Sequence, residues 1–457
     1  MSSEPTANET TVSRGAFLKG AAATTAAVAA SGAIAQVAHA QGRVAAPYVS
    51  KAPSGEVTIW ANLLFAKEQV AAFNKVYPNV KITQIQKPYL PNTPSEAATL
   101  VSGVGVPDGI FFLEDAYLGR YADALYDVSA HIAPYKSQIA PFKLAVATQN
   151  GRIVSIPEDV DPSFLIYRTD IVAKAGVDVA KIHTYDDLIA AARTVKEKVP
   201  SCATPLFFCN DQALSTFMLE GLAWQQHSGM ANAQGQLQLN ARPYTNAFAY
   251  LEKAAKAGLV ASAQFQTPSL YKLWLNGQTC FTHFANWWTY WNAPGLKPLW
   301  GKVAIRPQPI FAPGDNPYSM MGGSGFVVPV KGKNPDLAAL FGTFVLLDPR
   351  GFGALKNFDN YESVLPAVQG LWDEVRPVQQ GRKPPYALLA PSIDQHTMLV
   401  QAAKNAPTTY RYPGWYSQAV PYVATQVQAV LKGQKSAQAA QSAAYHDVLT
   451  KVVQRYR

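Results

Sequence analysis

The chain has 457 residues, of which 48% are hydrophobic, 11% aromatic and only 15% charged, with a formal net charge of +9. This composition excludes disordered and collagen-like chains, and the length predicts two or three structural units. The lysines and arginines are scattered along the chain, so the positive charge is interpreted as general surface charge and no nucleic-acid partner is predicted.

The first 40 residues have the pattern of a bacterial export signal. Arg14 and Lys19 flank the start of a run of small apolar residues, and Ala38-His39-Ala40 has the small-x-small pattern that signal peptidase cleaves. The stretch resembles a twin-arginine signal, but Gly15 stands in the place of the second arginine, so the twin-arginine and general secretory routes both stay open. We predict a cleaved signal peptide at 1–40, a tether at 41–54 and a periplasmic mature protein.

Short apolar strands alternate with amphipathic helices along the rest of the chain. Helical spacing of apolar residues and capping signals predict helices at 67–77, 335–347 and 423–431, and a further helix that begins with a capping box at 184–187 and continues through 188–199. Apolar runs and alternating patterns predict strands at 57–60, 80–85, 109–113, 153–156, 164–167 and 205–209. This alternation predicts an α/β fold of two lobes, in which helices cover parallel sheets.

Three cysteines exclude a disulfide-rich scaffold, but an oxidising compartment would allow one bridge. Cys202 and Cys209 bracket a predicted strand, which would hold them about 23 Å apart, too far for a bridge. A link between Cys209 and Cys280 and three buried free thiols both stay open.

Catalytic and metal-binding motifs are weak in this sequence. The glycines at 103–109 miss the spacing of a dinucleotide-binding loop, and Pro107 would interrupt its helix. The Gly-Gly-Ser-Gly stretch at 322–325 lacks the spacing of a nucleophile elbow. The seven histidines are widely separated. We therefore predict no catalytic residue, no metal and no cofactor.

Aromatic and acidic residues follow several predicted strands. A tryptophan-rich stretch at 286–291 follows the apolar residues 280–284, and acidic residues occur at 114–115, 158–161 and at Asp211. Each residue alone is more often a core residue or a helix cap. Together, aromatic faces and carboxylates at strand ends are typical of sites for a ligand rich in hydroxyl groups.

The order of the segments adds a resemblance to a known family. Residues 57–60 are followed by Phe-x-x-x-Tyr-Pro at 73–78, a Pro-Asp strand at 107–112, a strand pair at 150–168, and Gly-Gly-Ser-Gly-Phe at 322–326. This ordered set resembles the extracellular solute-binding proteins of ABC importers, in the carbohydrate-binding group that includes maltodextrin-binding proteins.

The resemblance implies two α/β lobes joined by a hinge that the chain crosses three times, near Asp161, Ile310 and Tyr361. Residues 55–160 and 310–360 would form the first lobe, and 161–309 and 361–457 the second. It further implies a monomer that closes around its ligand and is then recognised by a membrane permease. The ligand-binding residues it implies are Trp60, Asp115, Asp161, Asp211, Trp224, Trp287, Gly323 and Trp415.

The predicted function is capture of a sugar or polyol in the periplasm and its delivery to the permease, without catalysis. Three alternatives stay open: a binding protein for an acidic sugar or another small solute, a secreted carbohydrate-active enzyme, and a sensor with the same fold. The enzyme would need two carboxylates committed to acid and nucleophile roles, and the sequence singles out no such pair.

Overall fold

The computed structural model describes residues 52–61, 65–87, 94–354, 364–381, 388–408 and 411–456. The predicted signal peptide, most of the predicted tether and the predicted crossing near Tyr361 lie outside these residues. Within them, no helix is both long enough and apolar enough to span a membrane.

Strands and helices alternate along the chain, as predicted. The strands are β1 (Gly55–Ala61), β2 (Val80–Gln86), β3 (Gly109–Glu114), β4 (Thr148–Gln149), β5 (Arg152–Ile153), β6 (Ile156–Pro157), β7 (Asp159–Val160), β8 (Pro162–Arg168), β9 (Leu206–Cys209), β10 (Val260–Ala263), β11 (Phe281–Ala285), β12 (Val303–Arg306), β13 (Ser319–Met320), β14 (Ser324–Val327) and β15 (Leu365–Pro366). The helices are α1 (Lys67–Val76), α2 (Pro94–Ser102), α3 (Asp115–Tyr121), α4 (Ser129–Ile132), α5 (Pro141–Ala147), α6 (Thr169–Ala175), α7 (Tyr185–Lys198), α8 (Gln212–Trp224), α9 (Arg242–Lys256), α10 (Pro268–Leu275), α11 (Trp287–Asn292), α12 (Pro335–Leu346), α13 (Pro349–Phe352), α14 (Trp372–Gly381), α15 (Gln395–Lys404), α16 (Tyr416–Leu431) and α17 (Ala437–Lys451).

Two sheets organise the chain. The first has the strand order β2-β1-β3-β14-β6, and the second has the order β10-β9-β11-β8-β12, with β13 also paired to β8. The strands β1, β2 and β3 are mutually parallel, as are β9, β10 and β11, but β14 and β8 run antiparallel to their neighbours. The predicted all-parallel sheets are therefore mixed, because β8 and β14 enter directly from the other sheet rather than through a crossover helix.

Local signals account for most element boundaries. Helix α7 begins with a capping box between Thr184 and Asp187, as the sequence predicts. All seven residues of β8 are buried, which fits a strand covered on both faces. The single strand predicted at 153–156 is wrong: the amide of Val154 donates to the carbonyl of Ala147, which separates β5 from β6.

The chain passes between the sheets at two described places. It leaves the first sheet after β6 and enters the second at β8, through the short strand β7. It returns between β13 and β14, later than the crossing predicted near Ile310, because Ser319 and Met320 still pair with β8. The strand β15 pairs antiparallel with β7, so a further segment lies beside the first passage.

The three cysteines are buried free thiols, which is one of the two outcomes that the sequence left open. Cys280 hydrogen-bonds to the thiol of Cys202 rather than linking to Cys209.

Candidate functional site

Four predicted ligand-binding residues converge where the chain passes between the sheets. Asp115 begins α3 directly after β3, and Trp287 begins α11 two residues after β11. Asp161 lies between β7 and β8, and Gly323 directly precedes β14. The ends of strands from both sheets therefore supply this site, which is a common location for ligands in α/β folds.

The residues Gly322 and Gly323 form the centre of the site. Their φ angles are +92° and +99°, which favours glycine. A Cβ atom on Gly322 would lie 3.5 Å from Nε1 of Trp287 and 3.7 Å from Oδ2 of Asp161. A Cβ atom on Gly323 would lie 2.8 Å from both Oδ2 of Asp115 and Nζ of Lys143. Each glycine thus lies against two side chains of the site.

Hydrogen bonds hold this glycine turn in place. The indole Nε1 of Trp287 donates to the carbonyl of Met321 at 3.0 Å. The amide of Met321 donates to the carbonyl of Asp161 at 3.0 Å, and the amide of Asp115 donates to the carbonyl of Gly323 at 2.9 Å. Residues that follow strands of both sheets are therefore tied to one short segment.

A buried lysine neutralises part of the acidic charge. The side chain of Lys143 is fully buried, and its Nζ donates to Oδ2 of Asp115 at 2.5 Å and to the carbonyl of Ser324 at 3.1 Å. The same Nζ lies 3.7 Å from Oδ1 of Asp159. The amide of Ser324 donates to Oδ1 of Asp159 at 2.9 Å, and its hydroxyl donates to Oε2 of Glu158 at 3.3 Å.

Burial shifts the ionisation of the four carboxyl groups. It raises the pKa of Asp115 to about 6, against the opposing effect of Lys143. It also raises the pKa of Asp159, and it raises the pKa values of Glu158 and Asp161 well above their ordinary range. Burial alone would lower the pKa of Lys143, but Asp115 and Asp159 raise it.

Asp211 is linked to Trp287 through one aromatic residue, Phe265. Its Oδ2 accepts a hydrogen bond from the amide of Phe265 at 2.7 Å. The ring of Phe265 meets that of Trp287 edge-on, with centroids 5.3 Å apart. Burial raises the pKa of Asp211. The structure therefore brings five of the eight predicted residues to one region.

The other three predicted residues are tryptophans on β1, at the end of α8 and at the start of α16. Trp224 is almost fully buried, donates to Oε1 of Glu220 at 3.1 Å, and packs against Tyr412. Trp60 pairs with Ile110, about 16 Å along β3 from Asp115, and its ring lies under the ammonium of a lysine. Trp415 is buried at the start of α16. Their role in binding stays a prediction.

Sequence reasoning missed Lys143 and Tyr412 and assigned no role to Glu158 and Asp159. Lys143 could have been found, because it is the only charged residue of α5. Nothing near Tyr412 in the sequence indicates that its hydroxyl is buried close to Asp115. Burial raises the pKa of Tyr412, and the charge of Asp115 raises it further. Its position depends on the packing of the C-terminal segment.

Replacing Gly323 with alanine is expected to lower the free energy of unfolding by about 1–2 kcal/mol, since the φ angle of +99° disfavours a side chain and the new methyl group would press on Asp115 and Lys143. Gly151→Ala is the matched control, because its φ is +76° but a Cβ atom there would meet no atom within 4 Å. Chemical unfolding measures both. Equal losses would mean that the crowding at Gly323 has no cost.

The site contains aromatic, carboxyl and ammonium groups but no evident metal centre: the described residues include no group of three or more histidines, cysteines or acids that could hold a metal ion. Two α/β units with polar side chains buried at their junction define the class of two-lobed binding proteins. The family model of bacterial extracellular solute-binding proteins matches residues 58–349, and the chain belongs to this family.

Individual relatives are distant. The chain is 26% identical over 310 residues to an arabinooligosaccharide-binding protein of Bacillus subtilis, covering 64% of this chain and 70% of the relative. Its fold is similar to the GacH receptor of Streptomyces glaucescens, with a TM-score of 0.66 and 16% identity, covering 89% of this chain and all of the receptor. It is also similar to a cyclic alpha-maltosyl-1,6-maltose binding protein of Arthrobacter globiformis, with a TM-score of 0.67 and 18% identity over 87% of this chain and 98% of that one. The predicted α/β fold of two lobes is confirmed.

Proposed function

We propose that the protein is the substrate-binding component of an ABC importer, which captures a sugar or polyol between its two lobes and delivers it to a membrane permease. The observation that carries this proposal is the convergence of Trp287, Asp115 and Asp161 on one glycine turn at the junction of the two sheets. An aromatic ring can pack on the apolar face of a sugar, and carboxyl groups bind its hydroxyls. The names of its relatives support a carbohydrate ligand.

Burial of the site supports a mechanism of lobe closure. Asp115 and Asp161 are 1% and 4% exposed, so a solute reaches them only when the lobes separate. Closure follows binding if the solute contacts both lobes and therefore stabilises the closed form more than the open one. We propose that the passages at β7 and at 321–323 act as the hinge, with the lobes divided there.

The cellular setting completes the proposal. Membership in an extracellular family makes the protein an exported one. We propose that residues 1–40 direct its export and are cleaved, and that the mature protein acts in the periplasm as a monomer that presents the closed form to the permease. No covalent step is needed, because capture requires only binding and closure.

Thermal unfolding of the exported protein with a panel of neutral sugars, polyols, sugar acids and sugar phosphates tests this function. A solute at 100 times its dissociation constant stabilises the folded protein by about 2.7 kcal/mol, which gives a visible shift of the midpoint. A selective shift, with the compound recovered unchanged, would establish capture. Turnover of the compound would indicate a secreted enzyme, and no shift with any carbohydrate would refute the proposal.

Replacing Trp287 with alanine is expected to weaken sugar binding by about 1–3 kcal/mol, the usual cost of losing a central aromatic contact. Trp300→Ala is a matched control: both tryptophans are half-buried and donate their indole hydrogen to a backbone carbonyl, but Trp300 bonds to Ala293, not to the glycine turn. Calorimetric titration should show unchanged affinity for the control. An unchanged dissociation constant for Trp287→Ala would remove this residue from the site.

A further inference from the structure

Acidic groups outnumber basic groups at the site, although the whole chain has an excess of basic residues. Four carboxyl groups are buried together: those of Asp115, Glu158, Asp159 and Asp161. Among the described contacts, the ammonium group beside them is that of Lys143. The largest electrostatic influences on Asp161 come from this lysine and the three other acids. The net charge of +9 therefore does not describe the surroundings that a bound solute meets.

Asp161 carries the one oxygen of these four carboxyl groups that is buried without a partner in the described part of the chain, although its side chain also hydrogen-bonds to Asp159. Lys143 contacts Asp115 and Asp159, and Glu158 accepts a hydrogen bond from Ser324. In contrast, Oδ1 of Asp161 is buried without a hydrogen-bond partner among the described residues. A buried acceptor without a donor is unfavourable, so a donor brought by the solute would gain more here than at the other three acids.

The indole of Trp287 lies beside the carboxyl group of Asp161. Both approach Gly322, with Nε1 of Trp287 at 3.5 Å and Oδ2 of Asp161 at 3.7 Å from the position of a Cβ atom. Four carboxyl groups beside one ammonium favour a cationic donor over a neutral hydroxyl, because a charge-assisted hydrogen bond to a carboxylate is stronger than a neutral one.

We propose that the solute carries a basic nitrogen, as an amino sugar does, and that its ammonium pairs with Asp161 beside Trp287. This inference rests on the proposed function, because it names the class of solute bound at the same site. The remaining acids would accept hydrogen bonds from ring hydroxyls. An anionic sugar would add negative charge to four acids, so the same argument disfavours the acidic ligand that the net charge allowed.

The experiment compares pairs of sugars that differ only in the charge of one nitrogen. We would titrate the exported protein calorimetrically with glucosamine and N-acetylglucosamine, with galactosamine and N-acetylgalactosamine, and with the free-amine and acetylated forms of the glucosamine disaccharide. We expect the free amine of at least one pair to bind about tenfold more tightly or better, because charge-assisted hydrogen bonds are about twice as strong as neutral ones. Added salt should reduce this preference.

Variants assign the preference to one carboxylate. Asp161→Asn keeps the shape of the side chain but cannot carry the charge, so we expect its amine-to-acetyl affinity ratio to fall to about one. Asp186→Asn is the control with the same chemical change, at an exposed aspartate that pairs with Lys253 on the surface, and it should keep the wild-type ratio. A thermal scan of each variant shows whether it is folded, and the wild-type pairs test the proposal without any variant.

Each outcome has a defined meaning. Equal affinities within every pair, or preferential binding of a sugar acid, would overturn the inference and leave the proposed function standing. An amine preference that survives in Asp161→Asn would overturn the assignment to this residue. Failure of all neutral, amino and acidic sugars to bind would overturn both the inference and the proposed function.

Discussion

Replacing Lys143 with methionine is expected to lower the free energy of unfolding by about 3–5 kcal/mol. Methionine fills nearly the same volume, but it leaves Asp115 and Asp159 buried without the ammonium that contacts both. The carbonyl of Ser324 also loses its donor. Chemical denaturation at neutral pH, followed by far-ultraviolet circular dichroism, measures the change.

The control is Lys136→Met, which makes the same substitution at a nearby exposed lysine. Surface substitutions of this kind usually change stability by less than about 0.5 kcal/mol. If both variants lost the same small amount, the buried lysine would not be a partner that the carboxylates need. A double variant, Lys143→Met with Asp115→Asn, should recover part of the loss, because it removes one of the unpaired charges.

The second large effect is expected in the dependence of stability on pH. Burial raises the pKa of Asp115 from its ordinary 3.8 to about 6, and the side chain is only 2% exposed. Between these two pH values the folded protein holds a proton that the unfolded chain has released. The contribution of Asp115 to the free energy of unfolding is therefore fully present below about pH 4. It is lost as the pH rises through about 6, which is a change of about 3 kcal/mol.

The measurement is the difference in unfolding free energy between the wild type and Asp115→Asn from pH 4 to pH 7. Other acids have lowered pKa values, such as Asp170 beside Arg168 and Asp348 beside Arg350, and these stabilise the protein as the pH rises. They are present in both proteins and cancel in the difference, which reports the carboxyl group of Asp115 together with its effect on Glu158 and Asp161 beside it. A difference that stays constant across this range would contradict the raised pKa.

The fold was predictable because its signals are local. The helices α1, α7 and α12 follow from apolar spacing and from capping or proline signals within about a dozen residues. The buried strands β3 and β8 follow from short apolar runs. The division into two lobes came from the order of these segments, which resembles that of the family now shown for residues 58–349.

Part of the candidate site was predictable for the same reason. Asp115, Asp161 and Trp287 all lie within two residues of a strand end, and Gly323 directly precedes a strand, where the fold class places ligands. Trp60 also ends a predicted strand, but it lies on β1 and pairs with Ile110 rather than with a residue of the glycine turn. A strand end therefore marks candidate residues, but it does not state which side chains meet, and Lys143 joins the site from helix α5.

The sequence by itself determined the α/β class, most of the elements, the family and the acidic and aromatic character of the site. Only the tertiary structure decided that Lys143, 28 residues from Asp115 and 181 from Ser324, joins the carboxyl groups. It also decided that the pKa values of these acids are raised, because burial depends on what covers a residue. Contacts between distant segments and the water they exclude are properties of packing, which no local pattern in the chain contains.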